Sequence, residues 1–153
     1  MRSTVLWINN GTVNNAGVLS FEKANASLSN YGVVNNSKGS ALTSRNELRN
    51  SGVLRNEGTL RNNGRIVSSG ELLISDSGSI SGSGSYHQLA GTTLVFGSLV
   101  QASISIDEDV LLGSGTIQSV VTLHGGTVAP GHSTGKINIL GDYIQAEVAG
   151  LSP

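Results

Sequence analysis

The chain has 153 residues, no Cys, 12% charged residues and a formal net charge of −1. The absence of Cys excludes disulfides and thiolate metal sites, and the scarcity of basic residues excludes an ordinary nucleic-acid-binding domain, which is strongly cationic. The length suits one domain, and Lys and Arg outnumber Asp and Glu by eight to four in residues 1–75 but are outnumbered six to one in residues 76–153.

The first ten residues, MRSTVLWINN, carry one Arg and a short apolar patch. They lack the hydrophobic region and cleavage site of a signal peptide. No apolar run in the chain approaches the roughly 20 residues of a membrane-spanning helix, so we predict no membrane insertion. If the protein is exported, we expect this chain to be a fragment of a longer one.

A six-residue pattern, Asn-x-Gly-x-aliphatic-x, begins soon after the start of the chain. It occupies odd positions from Gly11 to Leu19 and even positions from Leu28 to Asn36. The change from odd to even predicts a local irregularity at residues 22–26. A second irregularity is predicted at residues 37–41, where the aliphatic spacing is eight residues instead of six.

The pattern is most regular from Asn46 to Leu73, and every repeated residue there has an even number. The repeated positions are Leu48, Leu54, Leu60, Ile66 and Leu72, Gly52, Gly58, Gly64 and Gly70, and Asn50, Asn56, Asn62 and Ser68. Alternate side chains of a strand share a face, so Asn, Gly and Leu are predicted to point inward and the charged residues outward. A strict spacing of six gives no helical stripe.

A single strand of this length would be far longer than the usual 3–10 residues, so the chain must bend at a fixed interval. Gly and Asn tolerate positive φ and are suited to such bends. Regular bends produce stacked coils with an internal aliphatic column. The inward Asn amides need partners, and stacking them in ladders would provide these.

After residue 76 the pattern loosens, and longer strand-like runs separated by Gly or acidic turns follow. We predict a single all-β domain over residues 1–153, a single-stranded β-solenoid (β-helix). Residues 1–85 are expected to form the hexad coils, and residues 86–153 wider, less regular coils on the same axis.

A resemblance to known proteins lies in LLGSGTIQSVVTLHGGTVAPGHSTGKINILGDYIQAEVAG, residues 111–150. A Gly-Gly-Thr-aliphatic strand (residues 125–128) is followed by a Pro-Gly-x-Ser-x-Gly turn (129–135) and a strand ending in Gly-Asp-Tyr (136–143). This order resembles bacterial autotransporter passengers and related large surface adhesins, and the upstream hexads are similar to their low-complexity β-helical segments. The resemblance implies an extracellular, right-handed β-helix, whereas hexads by themselves also build left-handed helices.

The histidines are the first candidates for chemistry. His87, His124 and His132 show no metal-binding spacing such as HExxH. His132 and Ser133 adjoin in the APGHSTG turn, with Asp142 as a conceivable third partner. A Ser-His-Asp site needs a base beside the nucleophile and an acid that orients the base, and adjacent residues in a Gly/Pro turn do not indicate that arrangement.

Two charged groups are candidates for binding. The cluster Asp107, Glu108 and Asp109 has oxygen ligands suited to Ca²⁺ but lacks the glycine spacing of calcium loops, so we interpret it as a solvated acidic turn. Arg49, Arg55 and Arg61 lie six residues apart and point outward. If they share one side of the solenoid, they form a face for anionic ligands; whether they do depends on the number of hexads in each coil.

The chain has one Trp, three Tyr and two Phe, few aromatic residues for a sugar cleft. This scarcity favours a non-enzymatic protein, and the resemblance implies a structural or adhesive module of a bacterial surface or secreted protein, a stalk or display scaffold that needs no cofactor. Its expected partners are host or matrix glycans or proteins. The alternatives are a carbohydrate-binding module using one outer face and, third, a polysaccharide-active enzyme. Exposed sheet edges at the ends of a solenoid also predict end-to-end self-association.

Overall fold

The structure, a computed structural model, describes residues 5–131 and 135–146. All regular structure in these residues is β-strand. They contain no helix long and apolar enough to cross a membrane. The strands in chain order are β1 (Val5–Asn9), β2 (Thr12–Asn15), β3 (Val18–Phe21), β4 (Ala26–Asn30), β5 (Val33–Asn36), β6 (Ala41–Ser44), β7 (Glu47–Asn50), β8 (Val53–Asn56), β9 (Thr59–Asn62), β10 (Arg65–Ser68), β11 (Glu71–Ile74), β12 (Ser79–Ser81), β13 (Ser85–Gln88), β14 (Thr92–Val95), β15 (Ser98–Ile106), β16 (Val110–Gly113), β17 (Thr116–Leu123), β18 (Thr127–Pro130), β19 (Asn138–Leu140) and β20 (Tyr143–Gln145).

In the first half of the chain, each strand pairs in parallel with the third strand after it, so three strands complete one coil. About seven coils are stacked in this way, which confirms the predicted β-solenoid. Three stacks of strands result. Face 1 contains β1, β4, β7, β10, β13, the second halves of β15 and β17, and β20; face 2 contains β2, β5, β8, β11, β14, β16 and β18; face 3 contains β3, β6, β9, β12, the first halves of β15 and β17, and β19.

The number of hexads in each coil follows from the strand register. Leu48 of β7 is aligned with Ile66 of β10. The aliphatic residues of two further hexads, Leu54 and Leu60, lie between them in the sequence, so one coil holds three hexads. Each aliphatic residue points into the core, where Leu48, Leu54 and Leu60 are at most 1% exposed. The predicted inward direction of the aliphatic residues is therefore confirmed.

The two predicted irregularities are bends between strands. Asn25, just before β4, has a φ of 66°, and Gly39, before β6, has a φ of 80°. Both values lie in the left-handed region, which Asn and Gly tolerate best. The extra residues lengthen the first coils, so that Val18 of β3 is aligned with Ala41 of β6, further along the chain than three hexads would reach.

The coils after residue 85 differ from the prediction of wider turns. The steps from β13 to β15 and from β14 to β16 equal three hexads, and the step from Val110 of β16 to Thr127 of β18 is slightly shorter. The strands lengthen instead, because β15 and β17 each contribute to two faces. In this part of the chain, only the last step, from β17 to β19 and β20, is clearly longer than three hexads.

The inward Asn residues form two amide ladders along the solenoid axis. In the first ladder, Asn9 Nδ2 donates to Asn30 Oδ1 (2.8 Å) and Asn30 Nδ2 donates to Asn50 Oδ1 (2.9 Å). In the second ladder, Asn15 Nδ2 donates to Asn36 Oδ1 (2.8 Å), and Asn36 Nδ2 donates to Asn56 Oδ1 (2.7 Å). Each amide also donates to a backbone carbonyl of the next coil, so these buried polar groups are satisfied as predicted.

The hexad glycines serve a different purpose from the predicted one. None of Gly52, Gly58, Gly64 and Gly70 has a positive φ. A Cβ built on Gly52 would lie 2.1 Å from the carbonyl oxygen of Gly32, and a Cβ on Gly70 would lie 2.1 Å from that of Gly52. Glycine is needed there because the backbone of the preceding coil occupies the space of a side chain.

Candidate functional site

A polar cluster on face 1 brings together residues that are distant in the sequence. His87 Nε2 lies 2.8 Å from Asp107 Oδ2, and His124 Nδ1 lies 3.1 Å from Asp107 Oδ1. Arg65 contacts the other ring nitrogen of His87, Nδ1, at 3.2 Å. The hydroxyl of Ser105 lies 3.2 Å from His124 Nδ1. We call these five residues the histidine cluster.

Stacking of the coils produces this cluster. β10, β13 and the second halves of β15 and β17 are successive strands of face 1. His87 is aligned with Ser105 in the next coil. Asp107 and His124 each come directly after the strand that contributes to the stack. Because each contact joins residues of neighbouring coils, no local motif reveals the cluster, and the sequence interpretation missed it.

The hydrogen bonds of the cluster do not form a catalytic triad. In a triad the serine contacts one imidazole nitrogen and the acid contacts the other. Ser105 and Asp107 instead both contact Nδ1 of His124, so the ring cannot pass a proton from one to the other.

His87 has both ring nitrogens engaged. The Arg65 guanidinium has only donors, so His87 Nδ1 accepts its hydrogen bond and Nε2–H donates to Asp107. His87 therefore has no unused nitrogen with which to act as a base. The arrangement links charges across coils at a surface where Asp107 is 34% exposed and His124 is 52% exposed.

The acidic turn formed by Asp107, Glu108 and Asp109 was the candidate for Ca²⁺ binding in the sequence. Within residues 5–131 and 135–146, no group of three or more His, Asp or Glu side chains is arranged to hold a metal ion. Asp107 contacts the two histidines, and Asp109 Oδ2 accepts a hydrogen bond from the amide of Gly91 at 2.7 Å. The φ of Asp109 is 61°, so this residue forms the bend itself.

His132, Ser133 and Asp142 are the remaining residues of the conceivable Ser-His-Asp site, which the sequence did not favour. His132 and Ser133 lie outside the described residues. Asp142 lies just before β20, is exposed, and its carbonyl accepts a hydrogen bond from the amide of Val121.

The three outward arginines of the hexads do not share a face. With three hexads in each coil, Arg49 lies in β7 on face 1, Arg55 in β8 on face 2 and Arg61 in β9 on face 3. The coil neighbours of Arg61 are Thr43 and Ser81, not another arginine. The hypothesis of a single anionic-ligand face formed by these three residues is therefore corrected.

Arg49 forms an ion pair with Glu47 of its own strand, with Nη2 and Oε1 2.9 Å apart.

Arg61 has a different setting. It lines an open groove where face 3 turns towards face 1, and we call this the corner groove. Its lining residues are Glu22, Arg45, Arg61, Asn63 and Ser83. The corner groove thus contains a second arginine, Arg45, which the hexad spacing did not indicate.

A buried polar network replaces the aliphatic column in the middle of the solenoid. Tyr86 takes the place of Ile66 in the next coil and is 1% exposed. Its hydroxyl is hydrogen-bonded to Thr93 Oγ1, which donates to Gln88 Oε1 at 2.6 Å. Burial raises the pKa of the Tyr86 phenol to about 12. The phenol therefore stays protonated at neutral pH and acts as a structural donor.

Comparison with known proteins gives no relative for this chain. No protein-family model matches it, no curated protein matches it, and no solved structure matches it.

Proposed function

We propose that the chain is a non-catalytic structural or adhesive module, a stalk or display scaffold in a bacterial surface or secreted protein. The observation that carries the proposal is that, between the two ends of the described part of the chain, packed side chains occupy the inside of the solenoid. Aliphatic columns and amide ladders fill it, and Gln88 and Thr93 bond to one another. Partners must then meet an outer face or an end of the solenoid.

The dimensions of the solenoid favour a spacer. Strands in a stack lie about 4.8 Å apart, so about seven coils extend roughly 34 Å along the axis. Most coils contact their immediate neighbours, with one bond between coils two apart, from Asn62 Nδ2 to Gln101 Oε1 (2.6 Å), and such an array is held by repeated local contacts. The proposed location outside the cell rests on the resemblance of residues 111–150 to autotransporter passengers and adhesins.

The test combines an activity screen with an adhesion assay. The purified chain is incubated with a panel of polysaccharides, esters and peptides, and product formation is measured. The immobilised chain is then challenged with extracellular-matrix proteins and a glycan array. We expect no turnover and retention of a matrix or glycan component. Turnover that is lost in Asp107→Asn would contradict the non-catalytic proposal, and absence of all adhesion would limit the role to a spacer.

A second candidate function is binding of anionic carbohydrate in the corner groove. Arg45 and Arg61 line it together with Asn63 and Ser83, whose amide and hydroxyl suit sugar hydroxyls. Arginine matches carboxylate and sulfate groups through paired hydrogen bonds. Glu22 is the one acidic residue in the lining and opposes this attraction.

Matched charge reversals separate this candidate from general electrostatic attraction. Arg45→Glu combined with Arg61→Glu changes the net charge by the same amount as Arg49→Glu combined with Arg55→Glu. If the groove is the site, binding to sulfated glycans is lost only in the first variant. Equal weakening in both variants would assign binding to overall charge, and no binding by the unmodified chain would remove the candidate.

A further inference from the structure

The N-terminal end of the solenoid, residues 5–21, exposes side chains that are buried in later coils. Trp7 occupies the inward position of β1 and is aligned with Leu28 of β4. Leu28 is 1% exposed, whereas Trp7 is 42% exposed and packs on Phe21 with ring centroids 5.4 Å apart. Val5 and Ile8 of the same strand are also more than half exposed. This end of the aliphatic column is therefore open.

The amide ladders are also open at this end. The oxygen atoms of Asn30 and Asn36 each accept a hydrogen bond from an Asn amide of the preceding coil. In the first coil, the equivalent oxygen atoms of Asn9 and Asn15 turn to the local backbone, accepting from the amides of Gly11 (3.1 Å) and Gly17 (3.2 Å). Within the described residues, no Asn amide of a preceding coil donates to the oxygen atom of Asn9 or Asn15. The corresponding oxygen atoms of Asn30 and Asn36 do accept such a bond.

Two glycines supply independent support. In later coils a Cβ on Gly32 would lie 2.0 Å from the carbonyl oxygen of Gly11, so glycine is required by the coil beneath it. A Cβ on Gly11 or Gly17 would meet nothing within 4 Å, and neither residue has a left-handed φ. Nothing in the described chain therefore requires glycine at these two positions. A further coil packed against them would require it, because the carbonyl groups of that coil would occupy the space of a side chain.

We propose that the N-terminal end is a docking surface for a further coil of Asn-x-Gly-x-aliphatic hexads, supplied in parallel register by a partner chain. Such a coil would place Asn amides opposite the oxygen atoms of Asn9 and Asn15, an aliphatic residue over Trp7, and carbonyl groups where Gly11 and Gly17 leave space. Addition of strands to an exposed sheet edge is an established mode of recognition.

A second copy stacked head to tail is a poorer fit. At the other end, the column of the second ladder finishes on Pro130, which is aligned with Gly113. Proline has no side-chain amide, so the last described residue of this column offers no amide donor to Asn15. A second copy is the occupant expected from the predicted end-to-end self-association. Its binding is therefore one outcome of the test.

Trp7 is the only Trp in the chain, and it reports directly on docking. The probe is a synthetic peptide with the sequence of residues 47–64, which contains three hexads and no irregularity. Titration of the full chain with this peptide should shift Trp7 emission to shorter wavelength and saturate at one peptide per chain. A peptide with Leu replacing the residues equivalent to Asn50, Asn56 and Asn62 should bind at least about tenfold more weakly, because it cannot extend the ladders.

The variant Gly11→Ala, Gly17→Ala isolates docking from folding. Both methyl groups have room in the free chain, so its thermal midpoint should not fall. Peptide binding should weaken by about tenfold or more because the new Cβ atoms occupy the space of the incoming carbonyls. The matched control is Gly131→Ala at the opposite end, where a Cβ would make only an ordinary contact at 3.6 Å; its binding should not change.

A covalent fusion controls for weak affinity. Residues 47–64 are placed directly before Val5, which raises their effective concentration to the millimolar range or above. The proposal predicts a Trp7 shift both in the fusion and with free peptide. No shift in the fusion would overturn the docking geometry, and a shift in the fusion but not with millimolar free peptide would overturn a separate partner chain. A shift that grows with protein concentration in the absence of peptide would assign the end to a second copy and overturn the proposal.

Discussion

Removal of one rung of an amide ladder tests whether the ladders stabilise the solenoid. Asn36 is 1% exposed and lies next to Asn35, which points outward on the same strand. Asn36 Nδ2 donates to Asn56 Oδ1 (2.7 Å) and to the carbonyl of Thr59 (3.0 Å). Its own oxygen accepts from Asn15 Nδ2 and from the hydroxyl of Ser40. Asn36→Ala therefore breaks four hydrogen bonds at once.

The cost follows from the groups that lose a partner. In the variant, the amide of Asn15 still donates to the carbonyl of Ala41, and the hydroxyl of Ser40 still donates to the backbone carbonyl of Ser37. Asn56 Oδ1 and the carbonyl of Thr59 lose a buried donor, at about 1–3 kcal/mol for each group. We expect Asn36→Ala to lower the free energy of unfolding by about 2–6 kcal/mol.

Asn35→Ala is the matched control, because it removes only an exposed hydrogen bond to Asn14 and should change the free energy of unfolding by no more than about 0.5 kcal/mol. The measurement is urea unfolding followed by circular dichroism at 25 °C. The reasoning would be refuted if the two variants had the same midpoint, because the ladder would then contribute no more than a surface contact.

Three further outcomes are expected. Gly70→Ala should lower the free energy of unfolding by about 1–3 kcal/mol in urea unfolding, because its Cβ would lie 2.1 Å from a carbonyl oxygen; an unchanged midpoint would contradict the close approach of the coils. Tyr86→Phe should cost about 1 kcal/mol at pH 7. Because burial raises the pKa of the Tyr86 phenol from 10.0 to about 12, the unmodified chain should lose about 2–3 kcal/mol of stability between pH 10 and pH 12; this step should be missing from a urea series of the Phe variant over the same range. Asp107→Asn should change the thermal midpoint only slightly, because partly exposed polar contacts contribute at most about 1 kcal/mol; a large loss would make the histidine cluster a principal source of stability.

The strand pattern could be predicted because it is encoded within a few neighbouring residues. Side chains alternate between the two faces of a strand, so the even positions of Leu48 and Asn50 identified the core without knowledge of the coil. The change from odd to even positions located the bend at Asn25, and an aliphatic spacing of eight residues instead of six located the bend at Gly39.

The neighbours across coils could not be predicted, because a period of six residues does not fix the number of hexads in a coil. With three hexads, Arg61 is adjacent to Thr43 and Ser81, whereas Arg49 and Arg55 lie on other faces. The contact between His87 and Asp107 depends on the same number. The steric role of Gly52 was also hidden, because it arises from the carbonyl of Gly32 in another coil.

The number of hexads in each coil is the central claim, and cysteine cross-linking tests it most directly because the chain contains no Cys. Thr43 and Arg61 are aligned on neighbouring strands of face 3, one coil apart. Neighbouring strands lie about 4.8 Å apart, within the usual Cα distance for a disulfide. Arg49 and Arg61, two hexads apart, lie on different faces. The variant Thr43→Cys, Arg61→Cys should oxidise to an intramolecular disulfide and Arg49→Cys, Arg61→Cys should remain reduced, whereas the reverse result would contradict the three-hexad coil.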